Sequence, residues 1–355
     1  MSRRRFILGC ATVATCALLL AGCAPAPAQP TTTAAAGGYC ARMVTNSGGL
    51  QDRSFNQSSW EGLQRAAKTF DINVNAIVST GEIDLAPNVS QAVDTGCQFV
   101  LTVGFELADA TLAEAKANPS VHFAIVDEQV DGENIKPIVF DTAQASYLAG
   151  YLAAGVTKTG KVATFGGGNQ PPVTLFMDGF ADGVAAYNAV HKTSVSVLGW
   201  NKARQDGLFT GDFEDIVKGK ATTEALLDQG ADVIMPVAGQ VGEGAAAAIL
   251  QRGSASLIWV DNDGYETLPA EFRPVVLTSV LKNMQDAVVR VVGDDIDGTF
   301  DKTPFVGTLA NGGVDIAPYH DLADRVSPKL QSELDGLRSA IVDGSTIVES
   351  PSTPN

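Results

Sequence analysis

Three charged residues, Asp127, Asp261 and Lys282, each stand at the end of an apolar run: residues 121–126, 256–260 and 276–281. A charge in such a place is costly unless it is paired or meets a ligand. The alternative is an ordinary solvated loop charge, and it weakens when all three fall on one side of a fold. Behind Thr45 runs a polar loop, Asn46-Ser-Gly-Gly-Leu-Gln-Asp52-Arg-Ser-Phe55-Asn56-Gln57. It holds glycines for turning, amides and hydroxyls for hydrogen bonding, and one aromatic. Phe55 can pack under the following helix or stack on a planar ligand. Gly104-Phe105-Glu106 follows another apolar run, and Met235-Pro-Val237-Ala-Gly239 leads to a glycine-rich helix start at Gly242. Hydrogen bonding, charge pairing and stacking are what these residue types offer. Recognition of a small polar molecule is the chemistry they suit.

Bond-making chemistry has little support. A hydrolase needs a nucleophile within reach of a base, and no GxSxG elbow occurs. The three histidines are dispersed: His122 in an apolar run, read as core; His191 at a helix end, read as solvated; His320 in a late loop. No HExxH, no Cys–His set and no EF-hand spacing is present, so no metal is expected. Neither a Walker motif nor GxGxxG follows a strand, and Gly166-Gly167-Gly168 lacks the spacing of a phosphate cradle; it reads as a loop that lets backbones approach. No cofactor is expected and the chain is not expected to be an enzyme.

The elements that must position these residues alternate. Strands are expected at 41–45, 73–79, 98–103 and 121–126, with helices at 58–69, 86–95 and 108–117 between them. After residue 140 the order repeats: helix 147–156, strand 161–165, helix 176–191, strand 194–198, helix 218–229, strand 233–237, helix 242–251, strand 256–260. Strands separated by helices imply βαβ units and parallel sheets covered on both faces. Two such sets of similar length read as two doubly wound, Rossmann-like α/β lobes. In open sheets of this kind, ligands sit off the carboxyl ends of the strands, where the loop after Thr45, Gly104-Phe105-Glu106, Asp127, Gly239, Asp261 and Lys282 fall.

The first 22 residues differ from the rest. Arg3, Arg4 and Arg5 precede an apolar stretch to Leu20, and Leu20-Ala21-Gly22 leads into Cys23. This reads as a secretory signal, too short for a membrane span, with small residues before a cysteine as in a bacterial lipobox. Cys23 is therefore expected to carry lipid and hold the protein at the outer side of a cell membrane. Residues 24–38 are only Ala, Pro, Thr, Gln and Gly, read as a flexible tether. The tail after Glu349 is expected to fray. The full chain of 355 residues has a net charge of −16, and the leader holds basic residues but no acidic ones. So acidic a protein is no nucleic-acid binder. Cys40 and Cys97 remain beyond the leader, an even pair that outside the cytosol suggests a disulfide; two separately buried thiols are the alternative.

Several segments in order, Thr45-Asn46, Asp52-Arg53-Ser54-Phe55-Asn56-Gln57, Trp60-Glu61-Gly62, Phe140-Asp141, Ser146-Tyr147-Leu148-Ala149-Gly150, Gly179-Phe180, Val237-Ala238-Gly239 and Ser279-Val280…Lys282, resemble the bacterial basic membrane protein family, PnrA-like nucleoside-binding lipoproteins of ABC importers. The resemblance covers roughly residues 39–345. It implies a type I periplasmic-binding-protein architecture, two lobes joined by three strands, with residues 39–140 plus 262–305 in the first lobe and 141–261 plus 306–345 in the second. It further implies a purine between two aromatic rings, one per lobe. Phe55 matches the first ring; the second position falls at Met235, whose thioether can still lie against a ring. Asn46 stands where the family commonly has Asp. By the same resemblance Asn56 and Asp127 address the base, and Gly239, Asp261 and Lys282 the ribose hydroxyls. The implied partners are a nucleoside, a permease and an ATPase, with the binding protein a monomer. Another small polar solute, such as a sugar or amino acid, or a signalling or adhesive surface module without a transporter, are the alternative functions.

Overall fold

Residues 38–354 are described by the computed structural model. The signal, Cys23 and nearly all of the tether lie outside them. In the first lobe the chain runs β1 (Cys40–Thr45), α1 (Phe55–Phe70), β2 (Asn73–Ile77), α2 (Glu82–Asp94), β3 (Phe99–Val103), α3 (Ala108–Ala117), β4 (His122–Val126) and β5 (Ile135–Phe140). Every residue of β1, β3 and β5 is buried, as expected for parallel strands covered by helices on both faces. β5 is absent from the expected strands because Lys136 and Pro137 break its apolar run. Lys136 is nevertheless buried, its ammonium donating to the carbonyls of Asp301 at 3.2 Å and Thr303 at 2.9 Å.

The chain then enters the second lobe through α4 (Thr142–Val156), β6 (Lys161–Gly166), α5 (Pro171–His191), β7 (Ser196–Leu198), a small hairpin of β8 (Trp200–Asn201) and β9 (Asp206–Gly207), α6 (Ile216–Asp228), β10 (Val233–Val237), α7 (Val241–Arg252), β11 (Ser256–Asp261), the one-turn α8 (Gly264–Thr267) and β12 (Val276–Lys282). It returns as α9 (Met284–Ile296) and β13 (Phe305–Gly307), and finishes in the second lobe with β14 (Val314–Ile316) and α10 (Pro328–Val342). The sheets are ordered β13-β5-β4-β3-β1-β2 and β14-β12-β11-β10-β6-β7. All pairings within them are parallel except β12 with β14. The fold is thus two doubly wound α/β lobes.

The chain passes between the sheets three times, at β5 to α4, β12 to α9, and β13 to β14. One boundary differs from the expected division. β12 pairs with β11 in the second sheet, so the segment returns to the first lobe at α9 and not at residue 262. α9 packs on α1, and Gly62 makes this close approach possible: a Cβ there would meet the Gln285 Cα at 2.8 Å.

Cys40 and Cys97 are joined in a disulfide, Cα to Cα 5.0 Å, at the starting ends of the neighbouring strands β1 and β3. The tail beyond Glu349 is docked and not frayed. Val348 is buried, the Ser350 hydroxyl donates to Asp178 at 2.7 Å, and Ser352 and Thr174 share a 2.9 Å hydrogen bond on α5. Among the described residues no helix is long and apolar enough to cross a membrane.

Candidate functional site

The loop between β1 and α1 is shaped by its own hydrogen bonds. Gly48 and Gly49 turn it at positive φ (102° and 71°). Asp52 then accepts from the backbone N–H groups of Ser54, Asn56 and Gln57 at 3.1, 2.7 and 2.9 Å, closing the start of α1 with an anion. Burial pushes its carboxyl up to about 6, against the pull of those three hydrogen bonds. Asp52 lines the cleft, but its oxygens are already engaged in building the loop. That loop sets Phe55 at the first residue of α1, half-buried with its ring in the cleft.

Asp127 directly follows β4 and Asp261 ends β11, both in the left-handed backbone region (φ 65° and 69°) that non-glycine residues rarely adopt. Such strain persists where surrounding structure enforces it, and it clusters at binding sites. Between them lies Lys282 at the end of β12, its side chain 3% exposed. Its ammonium donates to Asp127 and lies 3.7 Å from Asp261, whose other oxygen accepts from the Ser54 hydroxyl. Burial favours the neutral amine, yet the two carboxylates outweigh it and hold Lys282 above the usual lysine range. The same ammonium stands 5.0 Å from the ring centre of Phe55 and 5.5 Å from that of Phe176. Asp127, which the resemblance assigns with Asn56 to a base, is paired with Lys282.

A second polar group occupies the first-lobe wall. Asn56 donates its amide to the Asn46 Oδ1 at 2.8 Å and to the Ser47 carbonyl at 3.1 Å. Asn46 in turn donates to both oxygens of Glu106, at 3.3 and 3.4 Å. Burial raises the Glu106 carboxyl above its ordinary range.

The second lobe supplies the facing wall. Met235 is not part of it. Strand residues alternate sides, so Val233, Met235 and Val237 share one face of β10; Met235 is fully buried one pleat below Val237, which lines the cleft. The aromatics of this wall are Phe176, near the start of α5, and Phe213, in the loop before α6. Sequence reasoning passed over both. Helix α5 begins one turn earlier than its periodicity suggested, and Phe213 follows no strand of the central sheet. The available signal was the triple glycine: a Cβ on Gly167 would lie 2.4 Å from the Phe213 ring, so only glycine lets that ring settle there. Gly239, at φ 54°, brings its backbone to the cleft beneath Phe213.

Together these residues surround a partly open cleft, walled by apolar and aromatic side chains with a few convergent polar groups, as small-molecule sites are. Asn46, Asp52, Phe55, Asn56, Phe105, Asp127, Val237, Gly239, Asp261 and Lys282 all line it; Glu106, Phe176, Phe213 and Gln240 join them. Contacts from the 46–54 loop bridge the two lobes at its rim. Arg53 pairs with Glu243 at 3.0 Å and donates to the Thr267 carbonyl at 3.0 Å. Gln240 donates to the Gly48 carbonyl at 3.1 Å, and Asn262 to that of Ser54 at 2.9 Å. The histidines lie elsewhere, each against a carboxylate. His122, expected in the core, has a side chain 39% exposed and stacks on Phe300; His191, expected in solvent, bonds Glu333 at 2.9 Å.

The family model for "ABC transporter substrate-binding protein PnrA-like" matches residues 41–350. An ABC transporter nucleoside-binding protein, BmpA, of Lactococcus lactis subsp. cremoris is 30% identical, across 98% of this chain and 99% of its own. A CD4+ T-cell-stimulating antigen of Listeria monocytogenes is also 30% identical, over 86% of this chain and 87% of its own. Among solved structures, a solute-binding protein of an ABC transporter system from Aeropyrum pernix K1 superposes with a TM-score of 0.77 at 22% identity, covering 88% of this chain and 94% of that one; at that identity the likeness speaks for the fold. With a match spanning both lobes and the cleft between them, the chain belongs to the PnrA-like family of ABC transporter substrate-binding proteins, which bind their substrates and are not enzymes.

Proposed function

We propose that the substrate is a nucleoside, captured between the lobes and delivered to a permease from a lipid-anchored position. The observation that carries this reading is the pairing of aromatic walls with a buried Asp127–Lys282–Asp261 group. A nucleoside has one flat apolar face and one cluster of hydroxyls, and the cleft has a counterpart for each. The base lies between Phe55 of one lobe and the aromatics of the other, where stacking on each ring contributes about 1 kcal/mol. Vicinal ribose hydroxyls donate to Asp261 and accept from Lys282, so each hydroxyl meets a charged partner. The printed name of the L. lactis relative, a nucleoside-binding protein, supports the same class.

Titration calorimetry with a panel of nucleosides tests this. Asp261→Ala removes a charged hydrogen-bond acceptor and is expected to weaken binding by about tenfold to a hundredfold. Unchanged affinity would sink the assignment. The anchor is tested separately: Cys23→Ser is expected to move the protein from the membrane fraction to the medium with its ligand affinity intact, and retention at the membrane would refute lipidation.

A further inference from the structure

The first-lobe wall of the cleft is rich in acceptors that lack donors. From side chains Glu106 receives only the long, shared hydrogen bond of Asn46, besides one from its own backbone N–H, and among the described residues no lysine, arginine or histidine pairs with it. Next to it, Asn56 has spent its amide donors on Asn46 and Ser47. Its Oδ1 is buried with no partner, on a residue 1% exposed. A buried acceptor left unmet is expensive and calls for an explanation. Gly104 permits the arrangement: at φ 113° it carries no Cβ, which would stand 2.6 Å from a Glu106 oxygen and 3.0 Å from the Asn46 amide.

Asn46 matters as an amide here. Its Oδ1 is occupied by Asn56, which turns its NH2 toward Glu106. An aspartate at position 46 would set two carboxylates against each other. The residue that departs from the pattern of the family in the sequence is thus matched to the carboxylate it touches.

Resting on the nucleoside reading above, we propose that Glu106, seated by the same Asn46 that holds the Asn56 amide with its buried, unpartnered Oδ1, makes this cleft select nucleosides whose base presents two adjacent N–H donors. A guanine edge does so, with its ring N1–H and 2-amino group side by side, and a carboxylate accepts such a parallel pair from both oxygens. Adenine offers an amino group next to a ring acceptor, which faces the carboxylate lone pair to lone pair. Uracil offers a single N–H flanked by two carbonyls. A site built around a hydrogen-bond partner rejects analogues that cannot supply it far better than an apolar one can.

The test is calorimetry of guanosine and adenosine binding to the wild type, Glu106→Gln, Asn46→Asp and Asp261→Ala, each first shown folded by its thermal melt. The wild type is expected to hold guanosine at least about tenfold tighter than adenosine. Glu106→Gln lowers guanosine affinity by about tenfold or more while adenosine stays within about threefold, and Asn46→Asp lowers guanosine as well. Asp261→Ala weakens both ligands alike. A wild type that prefers adenosine, or a Glu106→Gln variant that shifts both ligands equally or neither, overturns the proposal. If Asp261→Ala still weakens both in that case, the nucleoside reading stands without it; if the wild type binds no nucleoside, both fall together.

Discussion

At Asp52, burial and hydrogen bonding act in opposite directions on one carboxyl. Burial wins, and the folded-state value lies near 6 where an unfolded aspartate has 3.8. The folded protein therefore holds this proton over a window in which the unfolded chain has released it. As pH rises from about 4 to 6, the group withdraws stability, by about 3 kcal/mol over the full shift. Comparison with Asp52→Asn isolates this effect from the other acidic residues. The stability of the wild type minus that of the variant, from denaturant unfolding at pH 4, 5 and 6, is expected to fall steadily with pH; a flat or rising difference would contradict it. The same residue shows a limit of sequence reasoning. A polar residue in a cleft loop reads as a ligand contact, but whether its oxygens face ligand or backbone depends on the path of the loop.

Among the elements, the seat of Phe213 is the most testable. Its ring lies against the glycines after β6, in van der Waals range of Gly167 and Gly168. Gly167→Ala places a methyl where the ring is, while the loop that carries Phe213 stays tied to these glycines by the Thr210 and Gly211 N–H groups, which donate to the Gly166 and Gly167 carbonyls at 3.0 and 2.8 Å. The ring can move outward into the cleft, so the expected result is a loss of ligand affinity of about tenfold, measured by calorimetry, with a melting temperature within a few degrees of wild type. A large drop in melting temperature with affinity preserved would show that the glycine serves the core instead. β5 teaches a related lesson. Its Lys136-Pro137 pair hides a strand because burial of the lysine depends on carbonyls from residues 301 and 303, far away in sequence.

At the scale of the whole molecule, the lobes are held together at the rim by Arg53, Gln240 and Asn262. The Arg53–Glu243 pair is partly exposed, so screening limits its worth to about 1 kcal/mol or less; the hydrogen bond to Thr267 adds to it. A contact made only in the closed form shifts the balance between open and closed states, and apparent affinity follows that balance. Arg53→Ala is expected to lower ligand affinity by roughly twofold to tenfold. Small-angle scattering should show the ligand-free variant more extended than wild type, with the same envelope at saturating ligand. Equal affinity and equal envelopes would remove these contacts from the closing mechanism.

What the sequence determined by itself was local: alternation of strand and helix, glycines at turns, the polar residues gathered at strand ends, and the motif blocks that resemble the family. Those features depend on neighbours within a few residues, and pattern reading reaches that far. Tertiary structure decided which side chains face the cleft. Met235 and Val237 differ by one pleat, yet one lies in the core and the other in the site. Phe176 and Phe213 come from a helix start and an outlying loop, and packing against Gly167 and Gly168 brings Phe213 into the cleft. β12 joins the second sheet because its pairing with β11 covers apolar surface on both strands, a preference that no spacing along the chain records.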